Sequence, residues 1–115
     1  MKSALVTGAN KGIGFETAKQ LAELGYFVYI GSRDKAKGLE AIEKIKALGY
    51  ANIDCIELDV TDINSIKSAR KVLEVKTQHL DILINNAGIR GEVPQPASKV
   101  SIERLRLVFE TNFFG

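Results

Sequence analysis

Thr7-Gly8-Ala9-Asn10-Lys11-Gly12-Ile13-Gly14 follows a short apolar run, Ala4-Leu5-Val6, and opens a stretch in which Ile13, Thr17, Leu21 and Leu24 recur at spacings of three and four. That pattern predicts a strand, a turn and a helix, with the glycines on the turn. The context gives the cluster its meaning, since glycines alone say little. Gly8 lets the chain turn sharply after the strand. Gly12 has no Cβ to hold a bulky anion away from the backbone, and Gly14 lets the helix pack close to the sheet. The helix start near Gly12 offers unpaired N–H groups and the positive end of a dipole, a setting that suits a pyrophosphate. Asn10, Lys11 and Ile13 are counted with these three glycines as candidate cofactor contacts.

Strand and helix patterns alternate outward from this turn. Strand one is expected over about Lys2–Val6 and helix one over Gly12–Leu24, stopped by Gly25. Strand two is Tyr26–Ile30, rich in β-branched and aromatic residues. Helix two covers Lys35–Leu48, with Leu39, Ile42 and Ile45 on one face, Asp34 as its cap and Gly49 as its stop. Strand three is Ile53–Leu58. Helix three begins at Thr61 or Asp62 and turns Ile66, Ala69 and Leu73 inward. Strand four is Leu80–Ile84, with the uninterrupted apolar core of a parallel strand covered on both faces. A loop with Pro94 and Pro96 follows, and a last helix starts near Ser101.

The class is therefore α/β with a parallel sheet. Right-handed crossovers place helices one and two on one face. If strand four returns beside strand one, the strand order is 3-2-1-4 and helix three crosses to the other face. The reversal of strand order then lies between strands one and four, where open α/β sheets bind ligands.

The 115 residues suggest one domain or part of one, with 45% apolar and 26% charged residues, as in an ordinary globular chain. A net charge of +2 points to no nucleic acid and no membrane surface. No apolar run is long enough to span a bilayer, and Met1-Lys2-Ser3 carries no signal-peptide pattern. Cys55 is the single cysteine, so it is expected as a buried, reduced thiol, and the compartment expected is the cytosol. His79, the single histidine, is expected in a solvated position.

Three further motifs stand in order behind the glycine turn. Asp59-Val60 ends strand three, Asn85-Asn86-Ala87-Gly88 follows strand four, and Asn112 lies in Glu110-Thr111-Asn112-Phe113-Phe114-Gly115. Leu105, Phe109 and Asn112 fall at helical spacing, which turns Asn112 inward, and a buried amide needs partners. The glycine spacing differs from Gly-x-Gly-x-x-Gly, and no Gly-Lys-Ser/Thr follows to make a P-loop. Thr-Gly-x-x-x-Gly-x-Gly, with the later motifs, resembles the short-chain dehydrogenase/reductase family over the whole chain. Gly-Ala-Asn-Lys-Gly-Ile-Gly, Ser-Arg-Asp after strand two and Thr-Asn-Phe-Phe-Gly are similar to its carbonyl-reductase type.

The resemblance implies a Rossmann-like doubly wound sheet and NADPH-dependent reduction of ketones, aldehydes or quinones. It implies that Asp59, followed by Val60, meets the adenine amino group, although Asp59 reads equally well as a helix cap. Asn86, Ala87 and Gly88 would let the cofactor ribose lie close to the backbone, where the plain alternative is an Asn-Gly turn. Asn112 would hold a water in a proton relay, or would simply be an amide satisfied by backbone; the two are compatible. Ser32 takes the place at the end of strand two where an NAD site needs an acidic residue, and Arg33 and Lys11 add positive charge, so NADP(H) is expected.

The family's Tyr-x-x-x-Lys is absent: Tyr26 is followed four on by Ile30, Tyr29 by Arg33 and Tyr50 by Asp54. The catalytic Ser of the family would lie on a strand beyond these residues. The expectation is the N-terminal dinucleotide-binding part of one Rossmann domain, residues 1–115, without carbonyl-reductase activity of its own. A truncation, an incomplete gene product and one piece of a cleaved enzyme all fit it. Its small carbonyl or alcohol substrate would be met through the remaining part. The outer edge of strand four, unpaired within these residues, is expected to favour self-association.

Overall fold

β1 (Ser3–Thr7) is buried along its whole length, with a parallel strand paired on either side of it. The computed structural model of the protein describes residues 2–8, 12–77 and 79–85. Within them β1 is followed by α1 (Gly12–Glu23), β2 (Phe27–Ser32), α2 (Lys35–Ala47), β3 (Ile53–Glu57), α3 (Ile63–Lys76) and β4 (Ile82–Asn85). The four strands are parallel in the order β3-β2-β1-β4. The expected proline loop and last helix lie outside the described residues.

Alternation along each strand builds two cores, one on each face of the sheet. Val6, Val28, Ile30, Ile53 and Cys55 meet Ala18 and Ala22 of α1 and Ala41, Ile42 and Ile45 of α2. Leu5, Tyr29 and Ile56 point the other way and meet Ile66, Ala69 and Leu73 of α3. Helices α1 and α2 therefore share one face and α3 covers the other, as right-handed crossovers require. Burial pushes the Cys55 thiol up, and the neighbouring Asp54 carboxylate adds to it, so Cys55 is the inert thiol that its sequence context indicates. His79 is exposed, beside Asp81 at 3.4 Å.

Two helical faces differ from the expected ones. On α1 the buried positions are Gly14, Ala18 and Ala22, while Ile13 is 68% and Leu24 74% exposed. On α2 they are Gly38, Ala41, Ile42 and Ile45, and Leu39 is left outside. The correction on α1 has a plain cause. The helices approach the sheet closely, and small residues permit that approach where large ones would hold it off. The strand limits also shift: β1 and β2 run on to Thr7 and Ser32, and β4 starts at Ile82. Among the described residues β3 and β4 are the two edge strands, and Ile82, Leu83 and Ile84 of β4 are half-buried.

Gly38 shows how tight the fit is. A Cβ there would run into Cys55 Sγ and lie 3.2 Å from Ser32 Cβ. Overpacking of this kind costs about 1–3 kcal/mol, more than the ~1 kcal/mol that alanine gains over glycine in a helix. Gly38→Ala should therefore lower the denaturation midpoint, and Cys55→Ala in the same chain should recover much of the loss by removing the colliding sulfur. Additive losses in the double variant would show that the sulfur is not the obstacle.

Caps fix the helix ends. Asp34 Oδ1 accepts from Ala36 N and Lys37 N at 2.9 and 3.3 Å, and Asp62 Oδ1 accepts from Asn64 N at 2.9 Å. At the opposite edge of the sheet Asn52 Nδ2 donates to the carbonyls of Ala22 and Tyr26, tying the end of α1 to the start of β2. Strands β1 and β4 are fastened there as well: Ser3 N donates to Asp81 Oδ2 at 2.8 Å, Asp81 N to Ser3 O at 2.9 Å, and Ser3 Oγ to His79 O at 2.7 Å.

Candidate functional site

The carboxyl ends of the four strands meet at one edge of the sheet. Thr7 of β1 pairs with Gly31 of β2 on one side and Asn85 of β4 on the other. Gly8 N donates to Gly31 O at 3.0 Å, and Leu58 N donates to Ser32 O at 2.8 Å. These bonds continue the sheet pairing past the strand ends, so the residues that leave β1, β2 and β3 are held side by side. The reversal of strand order falls between β1 and β4, the position where doubly wound sheets take ligands.

The glycine turn is built by backbone conformation. Gly8 has φ 61° and Gly12 φ 66°, both in the left-handed region that side chains with a Cβ resist. A Cβ on Gly12 would meet nothing within 4 Å among the described residues. The glycine is thus required by its φ, and the same position leaves open space in front of the first turn of α1. That turn presents N–H groups without helical partners. Ile13 stands exposed on it, and Gly14 is buried against the sheet. Asn10 and Lys11 lie outside the described residues.

At the end of β2, Ser32 is buried and its Oγ donates to Asp34 O at 2.8 Å. Asp34 is engaged as the cap of α2, so its carboxylate is committed to backbone N–H groups. Arg33, between them, is exposed and makes no ion pair among the described residues. The end of β2 therefore carries a buried hydroxyl followed by an exposed cation that no described acid pairs.

Asp59 at the end of β3 is half-buried. Its Oδ1 accepts from Thr61 N at 2.9 Å and Thr61 Oγ1 at 2.6 Å, while its own N–H donates to Ser65 Oγ at 2.8 Å. The helix-cap reading of Asp59 is replaced by this turn, because Asp62 caps α3. Oδ2 keeps no hydrogen bond among the described residues, so one carboxylate oxygen remains for a donor from outside. Val60 is buried in the core beneath.

Between β1 and β4, Thr7 Oγ1 donates to Asn85 Oδ1 at 2.7 Å. This bond ties the ends of β1 and β4 together through the Asn85 amide. Its Nδ2 is buried without a partner among the described residues. Asn86, Ala87 and Gly88 lie outside them, as does Asn112. Sequence reasoning missed Thr7 and Ser32 as working side chains. The signal lay in the spacing: a hydroxyl at the last position of a buried strand must find an acceptor near the strand end.

This edge brings together a left-handed glycine turn, a helix start, an exposed arginine and an aspartate with one engaged oxygen, an arrangement that suits an anionic group at the helix start. No group of three or more His, Cys, Asp or Glu residues stands close enough to hold a metal among the described residues. No helix among them is long and apolar enough to cross a membrane. A shallow depression of about 380 Å³, lined by Ser3, Phe27, Tyr29, Asp54, Lys76 and Thr77, lies at the opposite, amino-terminal edge.

A family model described as short chain dehydrogenase matches residues 2–115. Salutaridine reductase of Papaver bracteatum is 47% identical over 92 residues, covering 79% of this chain and 30% of that protein. The solved structure of menthone neomenthol reductase from Mentha piperita superposes with a TM-score of 0.73 at 46% identity, over 76% of this chain and 31% of that one. Actinorhodin polyketide ketoreductase, solved with NADPH, superposes with a TM-score of 0.71 at 30% identity, over 76% of this chain and 33% of that one. The chain thus spans about a third of the length of each of these three proteins.

Proposed function

The chain belongs to the short-chain dehydrogenase family, and from that premise we propose that it is the NADP(H)-binding part of an oxidoreductase that reduces a carbonyl to an alcohol. The observation that carries the reading is the strand edge itself: Gly8 and Gly12 in left-handed conformations beside an exposed Arg33, with Asp34 withdrawn into a helix cap. Relatives named as reductases and as dehydrogenases support hydride transfer between a carbonyl and an alcohol, and a neighbour solved with NADPH supports the cofactor.

Each group has a task within this reading. The first turn of α1 takes the pyrophosphate, with Asn10 and Lys11 beside it. Arg33 and Lys11 take the 2′-phosphate. Asp59 Oδ2 accepts from the adenine amino group next to Val60, and Asn86, Ala87 and Gly88 border the ribose. The cofactor, when bound, supplies a hydride to the carbonyl carbon. Asn112 holds a water for the proton relay. The proton donor and the residue that grips the carbonyl come from outside residues 1–115, which contain no Tyr-x-x-x-Lys. The alternative reading is a cofactor-binding module without catalysis.

Activity separates the two. A protein extended through a Tyr-x-x-x-Lys segment should oxidise NADPH with a panel of reactive ketones, aldehydes and quinones, and residues 1–115 alone should not. An extended protein that binds NADPH and turns over none of the panel would favour the module. Tighter binding of NAD+ than of NADP+ would overturn the cofactor assignment.

A further inference from the structure

We infer that the depression at the amino-terminal edge of the sheet is a second binding site, one that takes a neutral aromatic ring carrying a hydroxyl group. Ser3 and Thr7 stand at opposite ends of β1, so this site shares a strand with the glycine turn but is separated from it by roughly 13 Å of that strand. It does not depend on the cofactor reading.

Four elements build it. Phe27 and Tyr29 of β2 form an aromatic wall, with ring centroids 5.0 Å apart and planes inclined at 42°. Asp54 of β3 and Lys76 at the end of α3 close one side as an ion pair at 2.8 Å. Ser3 of β1 and Thr77, which caps the end of α3, complete the lining. The volume, about 380 Å³, lies in the range of roughly 300–1,000 Å³ that small-molecule pockets occupy.

Tyr29 is the observation that points to a ligand. Only 4% of it is exposed, and its hydroxyl has no hydrogen-bond partner among the described residues. A buried hydroxyl is normally satisfied, because a bare one has given up its water for nothing. Burial pushes the Tyr29 phenol up and the Asp54 carboxylate adds to it, so the hydroxyl keeps its proton and offers it as a donor. The other hydroxyls have the opposite balance. Ser3 Oγ donates to His79 O at 2.7 Å and Thr77 Oγ1 donates to the same carbonyl at 3.0 Å, so both protons are spent and lone pairs remain. Lys76 and Asp54 neutralise each other, which leaves no charge to hold an ion. The lining therefore suits an apolar ring against Phe27, an acceptor for Tyr29 and a donor for Ser3 or Thr77. A phenolic hydroxyl is donor and acceptor at once. An aromatic carboxylate lacks the donor, and a plain hydrocarbon lacks both.

The test uses the full-length protein, with phenol as the probe and toluene and benzoate as its counterparts, followed by NMR at the backbone amides of Ser3, Lys76 and Thr77. Phenol should shift these amides and saturate with a dissociation constant on the order of 1 mM, which seven heavy atoms can supply. Toluene and benzoate should bind several-fold more weakly. Tyr29→Phe should weaken phenol about three- to tenfold, the size of one hydrogen bond, and leave toluene unchanged. The variant should keep its denaturation midpoint, because the hydroxyl that it loses has no described partner. A midpoint that falls would mean that the rest of the chain satisfies Tyr29, and the inference fails. Phenol that shifts only amides elsewhere, that binds wild type and variant equally, or that binds no better than benzoate would also overturn it.

Discussion

Arg33→Ala in the full-length protein is expected to cut the preference for NADP+ over NAD+ by roughly ten- to hundredfold, because a charge-assisted bond to a phosphate contributes about 1.5–3 kcal/mol. The loss should fall on NADP+ alone, since NAD+ offers the arginine no 2′-phosphate. Arg33 is exposed and has no ion pair among the described residues, so its removal breaks nothing in the fold. The preference should also weaken as salt rises, because an exposed pair is screened. Direct titration of both cofactors checks it. A variant that keeps its full preference would place the phosphate elsewhere, with Lys11 the next cation to test.

The second large effect is expected at Gly12. Gly12→Ala puts a Cβ on a residue at φ 66°, which costs about 1–2 kcal/mol in the left-handed region. Stability should fall by no more than that, because the new methyl meets no described atom within 4 Å. Cofactor affinity should fall much further, on the order of a hundredfold, because the methyl stands where the pyrophosphate would approach the helix N–H groups. Losing two charge-assisted bonds accounts for a change of that size. The two quantities are read separately, one by denaturation without cofactor and one by titration. Parallel, modest losses in both would mean that Gly12 serves only the turn.

Much of this was legible in the residues, for reasons that particular elements make plain. Both turn glycines and the cap at Asp34 are local requirements, set by φ and by orphaned N–H groups, and local requirements are written in short stretches of sequence. The shared face of α1 and α2 followed from βα alternation and the hand of the crossovers, whereas the order 3-2-1-4 was expected only on condition that strand four returns beside strand one, which it does. The buried face of α1 was misread because apolar spacing favours Ile13 and Leu24, whereas the sheet selects for smallness and takes Gly14, Ala18 and Ala22. On α2 Leu39 was placed with Ile42 and Ile45, but Gly38 and Ala41 complete the buried face instead. The role of Asp59 depends on Thr61 and Ser65 folding back onto it, and nothing in the order of residues fixes that geometry. Ser32 and Thr7 act through partners that only the fold brings near.

The fastening of β1 to β4 also has a bearing on the order in which the fold assembles. The ties at Ser3–Asp81 and Thr7–Asn85 each join residues 78 apart in the sequence, whereas β1 meets β2 across a single helix. Closing the longer loop costs more chain entropy, and pairings of high sequence separation come late. The three strands β3-β2-β1 with α1 and α2 form a unit that can condense first. The arrival of β4 then completes the crevice, so the ligand edge is the last part to form. In native-state hydrogen exchange, the amides of β4 should open at lower free energy than those of β1, and a nucleotide that bridges the two strands should slow them most.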